Sequence, residues 1–148
     1  KKAAALAAVG DMLKGIISCL IGMFLAGETG VMVGGIASIA GHNWPVYFGF
    51  KGGKGILTTF AVVLMMEWKI ALILLGIFII IVALTRYISL GSIISAALLP
   101  VFGMVFNKPL KFVLFSTVLA LIAIVRHHKN ISRLLKGIEP KFGAKKSG

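Results

Sequence analysis

The stretch "FGFKGGKGILTTF", residues 48–60, sets Lys51 and Lys54 among four glycines, Gly49, Gly52, Gly53 and Gly55. Glycines let successive backbone N–H groups turn toward an anion and lysines supply point charge, so these residue types suit a phosphate. The spacing is not that of a Walker A loop, because Lys54 is followed by Gly55 and Ile56 instead of Ser or Thr. A flexible loop whose lysines simply sit on the cytoplasmic side is the competing reading. Just upstream, "GHNWP" supplies His42, which can titrate near neutrality, and Pro45, which ends or kinks the preceding segment. A structural histidine at a membrane interface beside Trp44 is the plainer alternative for His42.

Asp11 and Lys14 stand three residues apart inside an apolar run, which places them on one helix face as an ion pair. Charges at such depth are costly to expose to lipid and point to function unless paired. In "RHHKNISRLLKGIE", residues 126–139, Ile131, Leu134, Leu135 and Ile138 fall on one helical face, with Lys129, Arg133 and Lys136 opposite. That pattern predicts an amphipathic helix lying in the membrane interface. His127 and Asn130, one turn apart on its flank, can then both address a site at the surface. The only acids are Asp11, Glu28, Glu67 and Glu139, and Cys19 is the single cysteine. No Ser/His/Asp arrangement stands out, and no metal or cofactor is expected.

The elements that must position these residues are membrane helices. In 148 residues, 59% are hydrophobic and 14% charged, and the mean hydropathy is +1.03. That is too apolar for a soluble domain. The expected fold is an all-α polytopic helix bundle with six apolar segments, at residues 3–26, 31–47, 56–66, 70–84, 88–106 and 110–125. The third is short for a span of about 20 residues, so it either crosses where the protein is thin or re-enters. If all six cross, twelve Lys and Arg, including Lys51, Lys54, Arg86 and Arg126, fall on one side and only Lys69, Lys108 and Lys111 on the other. The basic side is then cytoplasmic. If the third segment does not cross, that bias collapses. A single integral membrane domain is expected over 1–137, with a basic cytoplasmic tail, partly disordered, at 138–148.

The net charge of +12 suits anionic lipid or an anionic substrate. Nucleic acid is not an expected partner, since no basic segment is interleaved with aromatics on a soluble domain. The chain starts at Lys1, and its first apolar run carries Asp11 and Lys14, unlike the uninterrupted apolar core of a signal peptide. It therefore reads as a fragment missing its N-terminus.

Four segments, "GDMLKG" (10–15), "GHNWPVYFGFKGGKG" (41–55), "RYISLGS" (86–92) and "RHHKNISRLLKGIE" (126–139), together resemble the bacterial membrane acyl-phosphate:glycerol-3-phosphate acyltransferases. The resemblance runs along essentially the whole chain. It implies transfer of a fatty acyl group from acyl phosphate to the 1-hydroxyl of glycerol 3-phosphate, giving lysophosphatidic acid in phospholipid synthesis. It also implies a monomer among membrane lipids of the bacterial inner membrane, with its active face cytoplasmic. By the same resemblance, Lys51 or Lys54 with Gly52, Gly53 and Gly55 hold phosphate, and Ser89 or Ser92 with Arg86 contact the substrates. His42 and Arg133 complete the expected binding set, and His127 and Asn130 flank the reacting acyl group. Leu57 stands where the family often has Ala, and Lys129 where Glu is common. The family's first motif, a Ser-Gly-Asn loop followed by an Arg, precedes the positions of Lys1 and Lys2, so residues 1–148 by themselves are expected to be inactive.

An acyl phosphate carries a good leaving group, so positioning and charge neutralisation can suffice without a covalent enzyme intermediate. Either His127 or the substrate phosphate is the expected proton acceptor. The alternative class is a non-enzymatic transporter or lipid- and anion-binding protein. Transporters of that kind gather polar groups at broken helices near midplane, whereas here they gather toward one surface.

Overall fold

The computed structural model describes residues 2–143. Lys1, Lys145, Lys146 and the rest of the expected tail from 144 onward lie outside the described residues. Those described form helices and connecting turns, without strands. They divide into two compact units, one through Ala71 and one from Leu72.

The first unit is built on α1 (Lys2–Asn43), which is broken at Ala26 and Gly27, where φ reaches 58° at the glycine. That backbone region is open to glycine and strained for other residues. The break falls in "AGETG", between the first two apolar segments, and the chain folds back on itself there. Small residues make this reversal tight: a Cβ on Gly22 or Gly30 would collide with the other's backbone, and one on Gly34 would overlap the Ser18 carbonyl. Close backbone approach through small residues is how helices associate in lipid, where apolar burial gives little driving force. α2 (Ile56–Met66) packs on this hairpin, with Thr58 and Ala61 against Gly15 and Val62 against Gly35. At 11 residues it is about 16 Å long, roughly half the hydrocarbon thickness. Cys19, Ile39, Val62 and Ile70 are enclosed, whereas Leu20, Phe24 and Leu25 point outward, as lipid-facing side chains do.

The second unit holds most of α3 (Trp68–Thr85) with α4 (Ile88–Val105), α5 (Leu110–Arg126) and α6 (His128–Leu135). α3 ends where Thr85 Oγ1 back-bonds to Ile81 O and Arg86 turns left-handed at φ 62°. Gly91 admits Phe78 and Val82 beside α4, and Gly103 admits Phe112 of α5. α5 and α6 meet at 60° across His127. α6 stops at Leu135 because Gly137 takes φ 69°. Ile138, expected on the apolar face of this helix, therefore lies beyond it.

The six expected apolar segments correspond to the two halves of α1 and to α2, α3, α4 and α5. Among the described residues, three stretches are long and apolar enough to cross a membrane, Ala5–Phe48, α3 and α4, and α5 with α6 makes a fourth if the bent pair is one span.

Candidate functional site

In the first unit the reversal at Gly27 brings residue 42 back beside residues 11 and 14. Lys14 Nζ donates to Asp11 Oδ1 at 2.7 Å, and the same carboxylate oxygen lies 3.1 Å from His42 Nδ1. Lys14 Nζ also contacts His42 Nδ1. The pair expected from the spacing of Asp11 and Lys14 is thus a three-residue cluster. Thr58 Oγ1 donates to the Asp11 carbonyl at 3.1 Å, fastening α2 to the same place.

The chain then turns through Val46–Phe48, and the glycine loop folds back over residues 42–45. Gly53 N donates to His42 O at 3.2 Å. A Cβ on Gly52 would overlap the His42 carbonyl and the Pro45 ring, and one on Gly53 would overlap the His42 imidazole. Gly55, at φ 70°, caps the start of α2. The loop thus carries backbone N–H groups to a helix N-terminus, the local geometry that receives anions. Lys51 and Lys54 are exposed on it. Beneath it Asn43, which is not among the expected site residues, is wholly buried.

In the second unit a single carboxylate organises the polar side chains. Glu139, only 9% exposed, accepts hydrogen bonds through Oε1 from Ser89 Oγ and Asn130 Nδ2, both at 2.6 Å. Its Oε2 accepts from Arg133 Nε at 2.6 Å. Ser89, Asn130 and Arg133 are all expected site residues, whereas Glu139, which gathers them, is not among those expected. The only available signal was an acid inside a basic C-terminal run. Burial pushes the Glu139 carboxyl up, but the three hydrogen bonds and the Arg133 charge outweigh it, holding the group below the usual carboxylate value.

His127 is 1% exposed and its Nδ1 lies 2.8 Å from the Ala123 carbonyl. A carbonyl can only accept, so Nδ1 carries a proton, and Nε2 is the nitrogen that can accept one when the ring is neutral. Arg86 sits elsewhere: its Nε donates to Phe142 O at 3.1 Å, and Phe142 N donates to Arg86 O at 2.6 Å. Ser92 Oγ back-bonds to Ile88 O at 3.0 Å. Residues 138–143 are therefore tied into this unit at two points. Among the described residues no three His, Cys, Asp or Glu side chains gather as metal ligands.

The direction of the Glu139 shift predicts an acid limb in stability. A carboxylate with a lowered folded value stabilises fully above its unfolded value of about 4.3, and that contribution is lost as pH falls through the folded value. Melting in detergent between pH 7 and pH 3 should show wild type losing its advantage over Glu139→Gln only below about pH 4. A difference independent of pH would remove the charged carboxylate from the hub.

Residues 1–137 match the family described as glycerol-3-phosphate acyltransferase. Curated proteins of that name include one from Thermoanaerobacter sp. strain X514, 45% identical over 144 residues that cover 97% of this chain and 73% of the relative. One from Alkaliphilus metalliredigens is 43% identical over 146 residues, covering 99% and 74%. Among solved structures, PlsY (YgiH), an integral membrane glycerol 3-phosphate acyltransferase, superposes in its glycerol 3-phosphate form with a TM-score of 0.89 and 37% identity, covering 97% of this chain and 72% of that one. Its lysophosphatidic acid form matches equally, at a TM-score of 0.89. With the match running through both the glycine loop and the helices that carry Ser89, His127 and Asn130, the chain belongs to the glycerol-3-phosphate acyltransferase family.

Proposed function

We propose that the protein transfers a fatty acyl group from acyl phosphate to the 1-hydroxyl of glycerol 3-phosphate, yielding lysophosphatidic acid and inorganic phosphate. The observation that carries this reading is the glycine loop at the N-terminus of α2, within a chain matched along residues 1–137 to this family. Lys51, Lys54 and the loop N–H groups neutralise phosphate. Ser89, Ser92, Arg86 and Arg133 belong to the substrate-binding set, and Asn130 and His127 serve the reacting acyl group. The hydroxyl oxygen attacks the acyl carbonyl carbon, the bond from that carbon to the phosphate oxygen breaks, and phosphate departs with its electron pair. The hydroxyl proton passes to His127 Nε2 or to substrate phosphate, and the pH profile of His127→Gln distinguishes them. Loss of the acid limb in that variant assigns the proton to the imidazole.

The protein, expressed from its own gene and purified in detergent, should acylate glycerol 3-phosphate from acyl phosphate in the presence of EDTA, and should not do so from acyl-CoA or acyl carrier protein. A folded protein inactive with all three donors would favour the non-enzymatic anion-binding reading.

The charge distribution supports six crossings and a cytoplasmic active face, and membership of the family supports a monomer among the lipids of a bacterial inner membrane. In a Cys19→Ser background, Lys51→Cys and His128→Cys should label from the cytoplasmic side and Lys108→Cys from the other. Labelling of positions 51 and 128 from opposite sides rejects this topology.

A further inference from the structure

Asn43 is 0% exposed, and neither its Nδ2 nor its Oδ1 has a hydrogen-bond partner. A buried side-chain amide almost always finds partners, because leaving its donor and acceptor unpaired costs the full desolvation of both. The position of this orphan is specific. It is the last residue of α1, and its Oδ1 lies 2.7 Å from where a Gly55 Cβ would stand, directly against the cap of α2. The same loop presses on the neighbouring residues at Gly52 and Gly53. Two independent features therefore converge: the N-terminus of α2, capped by Gly55, and an amide with unspent donors beneath it.

We propose that Asn43 is a phosphate ligand of the glycine loop, donating from Nδ2 to a phosphate oxygen seated over the N-terminus of α2. This rests on the reading of that loop as the phosphate site. Since the amide lies covered beneath the loop, the loop must lift from it for a phosphate oxygen to reach Nδ2. Gly49 and Gly55 at positive φ, with Gly52 and Gly53 free of side chains, supply a backbone able to do so. Left unpaired, the amide costs its desolvation, and a phosphate oxygen accepting from Nδ2 relieves that cost, which favours binding. Asn43 thus differs from a residue that holds the loop together, and the difference has a sign.

The experiment measures the protein from its own gene, in detergent, for melting midpoint without ligand and for KM and kcat with glycerol 3-phosphate. Binding is followed separately by thermal protection with glycerol 3-phosphate and with inorganic phosphate. Asn43→Ala should melt no lower than wild type without ligand, while KM for glycerol 3-phosphate rises about tenfold or more, as loss of a hydrogen bond to a charged group does. kcat should stay within about threefold, because the lost contact is made in ground and transition states alike. Asn43→Asp, of the same shape but with no amide donor, should lose protection by both anions. A lower ligand-free midpoint in Asn43→Ala, failure of that variant to fold, or an unchanged KM overturns the proposal. Wild type protected by neither anion overturns instead the reading of the loop as a phosphate site.

Discussion

Lys54→Gln should leave the protein folded and lower kcat/KM for acyl transfer on the order of 100-fold, as removal of a single preorganised group facing developing charge commonly does. Lys54 lies between Gly53 and Gly55, exposed at the start of α2, so its ammonium adds a full charge where the helix and loop offer partial ones. Glutamine keeps length and hydrogen bonding but removes that charge. Lys51→Gln should act in the same direction, whereas Lys145→Gln and Lys146→Gln, far along the chain in its basic C-terminal run, should change little. Steady-state kinetics with both substrates varied is the measurement. Equal, mild losses at all four positions would falsify a specific role and leave only general attraction of anions to a basic surface.

Glu139→Ala should cost about 3 kcal/mol of stability, because it strips the acceptor from two buried donors, Ser89 Oγ and Asn130 Nδ2, and from Arg133. Arg133 is partly exposed, so water recovers some of its loss and most of the penalty falls on the buried pair. Glu139→Gln retains an acceptor and should cost less than half as much. Activity should fall in both variants along with order at Asn130, since the amide loses what orients it. Melting midpoints in detergent together with kcat decide the matter. A Glu139→Ala protein that melts with wild type and keeps its rate would show that Ser89, Asn130 and Arg133 position themselves.

The helices were readable in the sequence because lipid demands long apolar runs and glycine punctuates them. The gap between the apolar segments 3–26 and 31–47 holds the reversal at Gly27, and the three-residue spacing of Asp11 and Lys14 marks their pairing. What stayed hidden depends on residues distant in the chain. Nothing in the order of residues says that His42 returns to that pair from 28 positions away. Likewise Ser89 is 50 positions from Glu139, and no periodicity links a helix residue to an acid in an irregular segment. Nothing in the order of residues marks Asn43, because its significance lies in lacking partners, which only packing reveals. The amphipathic pattern of "RHHKNISRLLKGIE" did foretell a helix, but Gly137 ends it before Ile138.

The carboxylate at position 139 also has a bearing on biosynthesis. Ser89 leaves the ribosome 50 residues ahead of its acceptor, and Asn130 leaves it 9 residues ahead. Ser89 can therefore leave the ribosome with the start of α4 before its acceptor has been made. A polypeptide interrupted between Leu135 and codon 139 would contain α4, α5 and α6 yet lack the carboxylate that ties Ser89, Asn130 and Arg133 together. Such a product would be inserted but unfinished, with three donors lacking the acceptor they share.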